Sequence, residues 1–153
     1  MYPVRESIRQ ILSELPESVK LVAVSKFHPN DYIEAAYQEG QRVFGESREQ
    51  ELAKKVVSLP QDIEWHFIGH LQTNKVRQIV GKVDLIQSVS SVKLANEISR
   101  CSEKQGITSD VLLEVNIGGE ENKSGVPVEA LDDLLYQIAD IPRVKVRGLM
   151  AIP

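Results

Sequence analysis

One cysteine, Cys101, stands in 153 residues. A single thiol cannot close an internal disulfide, so a disulfide-stapled secreted scaffold is excluded. Cys101 reads instead as a small, partly buried apolar side chain. No apolar run approaches the roughly 20 residues that a membrane-spanning helix needs. The first ten residues, MYPVRESIRQ, carry charges where a signal peptide would carry its apolar core. These absences together predict a cytoplasmic protein. The chain has no basic excess: 18 Lys and Arg stand against 22 Asp and Glu, a net charge of −4. That balance argues against nucleic acid and against an anionic membrane surface as partners. No GxGxxG follows the first strand pattern, so a dinucleotide site has no support.

What is present is an ordinary globular composition, 42% apolar and 26% charged, without a linker, charge block or low-complexity stretch. A single domain over residues 1–153 is expected. Two kinds of segment alternate. Short apolar or β-branched runs predict strands at 19–26, 42–46, 64–69, 85–89, 110–116 and 144–152. Helical patterns lie at 4–14, 31–40, 47–59, 73–80, 91–106 and 127–140. Ser91 is placed as an N-cap, Gly40 and Gly106 as helix stops, and Pro127 as a first helical residue. The strand runs are continuously apolar, as in a parallel sheet covered on both faces. An open doubly wound sheet and a (β/α)8 barrel both fit this α/β alternation. Six strands are two strand–helix units short of a closed barrel.

In either architecture chemistry gathers at the C-terminal ends of the strands. The stretch LVAVSKFHPND puts Lys26 there, directly after an apolar run. A partly desolvated lysine has a lowered pKa, and its free amine attacks aldehydes. A solvated strand-end lysine is the plainer reading of the same residue. Other strand ends bring Glu46-Ser47, His70, Ser88, Asn116 and Met150. Glu46 and Glu49 are spaced to act as an acid–base pair, or Glu49 lies on an exposed helix face. His66 and His70 need not converge on a strand, which disfavours a zinc site. The loop GGEENKSGV offers Lys123, Ser124 and Gly125 either as an anion-binding turn or as a plain solvated loop.

Five ordered pieces carry a resemblance: AVSKFHP, FGESREQE, WHFIGHLQTNK, VNIGGEENKSG and RGLMAIP. From about Leu21 to Pro153 the chain resembles the YggS/PROSC family of pyridoxal 5′-phosphate homeostasis proteins, relatives of the N-terminal barrel of alanine racemase. The resemblance implies a (β/α)8 TIM-type barrel that holds pyridoxal phosphate as a Schiff base on a lysine after the first strand. That lysine maps onto Lys26. Ser47, Asn116 and Met150 are the further cofactor neighbours it implies, with Ser47 standing where many members carry Asn. Lys123 is a lesser candidate for an aldehyde or an anion. The family continues past GLMAIP with the units that grip the cofactor phosphate, so the resemblance implies a C-terminally truncated barrel. It also implies cofactor homeostasis without catalytic turnover, and a monomer or weak dimer. Three alternatives stay open. A racemase would need a second base, yet Tyr2, Tyr32, Tyr37 and Tyr136 all fall outside the predicted strand ends. An aldolase-like lysine would share the imine chemistry without the motifs. A barrel lacking its phosphate loops would have little cofactor affinity.

Overall fold

The computed structural model describes residues 3–121 and 124–153. These residues form α/β alternation with parallel strand pairing. Strand β1 (Ala23–Val24) pairs with β2 (Val43–Glu46), and β4 (Leu85–Val89) pairs with β5 (Ser109–Asn116). Strand β5 also pairs with β6 (Val126–Pro127) and β7 (Val144–Met150). The remaining strand is β3 (Glu64–Phe67). The chain divides into two compact units, Met1–His66 and Phe67–Pro153. Among the described residues no helix is long and apolar enough to cross a membrane.

In the first unit, α1 (Val4–Glu14), α2 (Asn30–Gln38) and α3 (Glu49–Ser58) accompany β1, β2 and most of β3. Ile8 of α1, Ile33 and Ala36 of α2, Phe44 of β2 and Leu52 of α3 are buried, with Trp65 of β3 tilted against Phe44. All four residues of β2 are buried, as expected of a strand covered on both faces. Each leucine-sized side chain buried this way contributes about 1.5–3 kcal/mol.

The second unit holds a 3₁₀ turn at Thr73–Gln78, α4 (Val92–Gln105), α5 (Leu131–Ile138) and strands β4 to β7. Its core includes Val76, Ile86, Val89, Ile98, Val111, Leu113 and Ile138. Helix α4 begins and ends as its sequence dictates. Ser91 Oγ accepts the Leu94 N–H at 3.1 Å, and Gly106 closes the helix in the left-handed region at φ +69°. Cys101 lies buried in this helix. Burial, with the nearby Glu97 carboxylate, pushes its thiol pKa up.

Four sequence expectations need correction. Strand β1 spans two residues rather than 19–26, because its backbone is diverted: the Leu21 carbonyl accepts from the Gln41 side chain and the Ser25 carbonyl from Lys55. The segment 73–80 forms a 3₁₀ turn over Thr73–Gln78 instead of an α-helix, with Gly81 in the left-handed region at φ +87° just beyond it. Strand β6 has no counterpart among the expected strands: Pro127, expected as a helix start, closes a two-residue strand against the end of β5. Strand β7 is not continuously buried: Lys145, Arg147 and Leu149 are exposed and alternate with half-buried neighbours.

Candidate functional site

The register Ala23↔Phe44 and Val24↔Gly45 carries the chain past β1 beside the end of β2. The Ser25 N–H extends the ladder by one bond to the Gly45 carbonyl, at 3.0 Å. The backbone then turns, with the His28 N–H donating back to the Ser25 carbonyl at 3.1 Å. Lys26 sits in this turn, two residues beyond the strand, and is exposed. Its exposure matches the plainer of the two sequence readings, a solvated strand-end lysine; the preceding strand itself is open, with Val24 exposed. Ser47 follows β2 directly and is half-buried, so the parallel register brings Lys26 and Ser47 to the same end of adjacent strands.

Beneath this turn lies a group that the sequence did not announce. Lys55 of α3 is only 5% exposed. Its ammonium donates to the Ser25 carbonyl at 2.8 Å, to Glu46 Oε2 at 2.8 Å and to Glu51 Oε2 at 2.7 Å. Three N–H groups thus meet three acceptors. Glu46 is fully buried; its Oε2 is also bonded by the Ser25 hydroxyl, while its Oε1 has no hydrogen-bond partner. Glu46 therefore works with Lys55 and Ser25. Glu51 accepts a further bond from the Phe27 N–H at 2.6 Å. Burial pushes the Glu51 carboxyl up, but the Lys55 ammonium and the Phe27 N–H outweigh it and hold its pKa below the ordinary value. Phe27 itself adopts φ +67°, a left-handed conformation uncommon for a bulky residue, and its ring lies 4.8 Å from the Arg48 guanidinium.

The second unit presents its own strand ends. The register Glu114↔Met150 places Asn116 and the half-buried Met150 at the same end of β5 and β7. The Asn116 amide donates to the Glu120 carbonyl at 2.5 Å, so it folds the following loop onto the strand end. Gly125 closes that loop at φ +113°, where a Cβ would lie 2.7 Å from the Asn116 nitrogen. Close backbone approach explains the glycine at 125. Lys123 lies outside the described residues, as does Tyr2. Glu114 is buried in β5, and burial raises its pKa despite the opposing field of His70. Ser88 is buried with an unpartnered hydroxyl; it lines a polar cavity of about 310 Å³ with His70, Thr73 and Ser91. His66, in the first unit, is buried against Glu64 at 2.7 Å. The three described tyrosines all lie on helices, Tyr32 and Tyr37 on α2 and Tyr136 on α5.

Comparison with known proteins gives this arrangement its context. The alanine racemase N-terminal domain family matches residues 3–153. The pyridoxal phosphate homeostasis protein of Aquifex aeolicus is 50% identical over 135 residues, covering 88% of this chain and 59% of that protein. Its counterpart in Schizosaccharomyces pombe is 40% identical and covers 97% of this chain and 63% of that protein. The chain belongs to the pyridoxal phosphate homeostasis protein family. Among solved structures, PipY of Synechococcus elongatus without PLP superposes with a TM-score of 0.91 at 39% identity, covering 98% of this chain and 71% of PipY. PipY has also been solved with PLP bound, and that structure superposes with a TM-score of 0.87 at 38% identity. Alanine racemase of Clostridium difficile shares the fold, with a TM-score of 0.81 at 13% identity over 97% of this chain. The fold is therefore the alanine racemase-type α/β barrel, carried in part. The chain spans about three fifths of the length of the curated relatives it matches.

Proposed function

We propose that this chain binds pyridoxal 5′-phosphate as an imine on Lys26 and serves cofactor homeostasis rather than turnover. The observation that carries the reading is the PLP-bound PipY structure, 38% identical across 98% of this chain. Lys26 supplies the amine that the aldehyde requires. Lys26 presents an exposed primary amine on a turn whose flanking peptides are both hydrogen-bonded, and Lys55, the other amine nearby, has its three donors occupied. The Lys26 nitrogen adds to the aldehyde carbon, the aldehyde oxygen leaves as water, and a C=N bond remains; no oxidant or reductant takes part. Ser47, Asn116 and Met150 are its proposed further contacts, on the strength of their motifs.

Borohydride reduction after incubation with pyridoxal phosphate tests the reading. One pyridoxyl adduct is expected, mapped by peptide mass spectrometry to Lys26 and absent from Lys26→Ala. Equal labelling of Lys26→Ala, or no saturable uptake by the parent chain, overturns it.

A further inference from the structure

Both peptide bonds that flank Lys26 end on one buried ion cluster. The Ser25 carbonyl, in the peptide preceding Lys26, accepts from Lys55 Nζ at 2.8 Å. The Phe27 N–H, in the peptide following Lys26, donates to Glu51 Oε2 at 2.6 Å. Lys55 then joins Glu51 to Glu46, at 2.7 and 2.8 Å, and Glu46 takes the Ser25 hydroxyl. The two planes on either side of the Lys26 Cα are thereby held from below, and the uncommon φ of Phe27 is held with them.

Stability alone does not account for this cluster. Placing two carboxylates and an ammonium out of water roughly cancels their mutual attraction, and apolar side chains of the same volume often serve stability as well or better. What an apolar set lacks is the means to bond a carbonyl and an N–H two residues apart. We propose that Lys55, with Glu51 and Glu46, is the positioning device for Lys26: it fixes the backbone on both sides of the reactive lysine and so sets the direction of its amine. This proposal rests on the assignment of Lys26 as the imine lysine. Lys55, Glu51 and Glu46 are positioning residues, acting through the turn and not on the cofactor.

The test follows two readouts on Lys26: the rate of borohydride-trapped pyridoxyl labelling, and the rate of acylation by acetic anhydride, which needs no cofactor. Lys55→Met and Glu51→Ala are expected to slow Lys26 labelling by up to about a hundredfold, the order of loss that a misplacement of ~1 Å produces. Both are also expected to change the rate of Lys26 acylation while leaving circular dichroism parental. Glu51→Gln, which keeps an oxygen to accept the Phe27 N–H, is expected to recover part of the rate. Folded variants with parental rates of labelling and acylation overturn the proposal. If Lys55→Met does not fold, Glu51→Ala decides, since the Glu51 side chain is 21% exposed and lies at the edge of the cluster. If the parent labels elsewhere than Lys26, the imine assignment fails by that result alone, and the acylation rate still decides whether the cluster governs the Lys26 amine.

Discussion

After β1 the chain is held by ions; after β5 it is held by an amide and a glycine. In the first unit Lys55 and Glu51 grip the backbone on either side of Lys26 from a helix 24 to 30 residues away, counted from Phe27 to Glu51 and from Ser25 to Lys55. In the second unit Asn116 grips its own loop four residues on, and Gly125 packs its backbone against the strand. The two buried glutamates sharpen the contrast. Glu46 is neutralised by an ammonium, whereas Glu114 lies in β5 with its pKa raised by burial. A strand end built with charges defines one residue's backbone closely. One built with a local amide and a glycine defines the path of a loop.

Removing the ammonium breaks this contrast most severely. Lys55→Met leaves Glu46 buried without its charge partner and is expected to cost about 3–5 kcal/mol in urea unfolding. The double variant Glu46→Gln/Lys55→Met, which removes both charges, is expected to regain most of that loss. A double variant no more stable than the single one would show that the charges are not the source of the cost. Next in size is Gly125→Ala. A Cβ at φ +113° and 2.7 Å from the Asn116 nitrogen is expected to cost about 2 kcal/mol, seen as a lower urea midpoint. An unchanged midpoint would mean that the loop has another path.

The smallest effect concerns pH. The Glu114 carboxyl has a folded-state pKa above its ordinary value of 4.5, so the folded chain binds that proton more tightly than the unfolded one. Its contribution to stability is complete below the ordinary value and is lost as pH rises through the raised one. Glu51 has the opposite sign: its pKa is lowered, so its contribution is present above 4.5 and lost as pH falls through the lowered value. Glu114→Gln is expected to flatten the decline in urea midpoint between mildly acidic and neutral pH and to leave the acid limb governed by Glu51 unchanged. A parental slope in that variant would assign the decline to another group.

The parts legible in the sequence are those written in neighbouring residues. Ser91 and Gly106 bound α4 because a cap and a left-handed stop act within one turn. Strand β4 matches its predicted bounds at 85–89 because its apolar run carries no competing signal. Strand β1 was overestimated because nothing within Leu21–Lys26 shows that the Ser25 carbonyl bonds a lysine thirty residues on. Lys55 itself hid in an ordinary-looking i,i+4 pair with Glu51. A signal was available: of the adjacent Lys54 and Lys55, only the second is three residues from Leu52 and shares its buried face. Lys26 is legible as a candidate because an apolar run ends there, and its exposure matches the solvated reading of that strand end; the turn that the Ser25 carbonyl and the His28 N–H close is not written in the run.

Cys101 has a consequence for anyone handling this protein. It is the chain's only thiol, it is buried in α4, and its pKa is held up by burial and Glu97. In the intact fold it offers a reagent little thiolate and little access. Its alkylation therefore waits on the opening of α4, and the speed of the reaction counts those openings. The molecule carries its own clock for local unfolding, readable with a maleimide and a mass spectrometer, with no engineered probe.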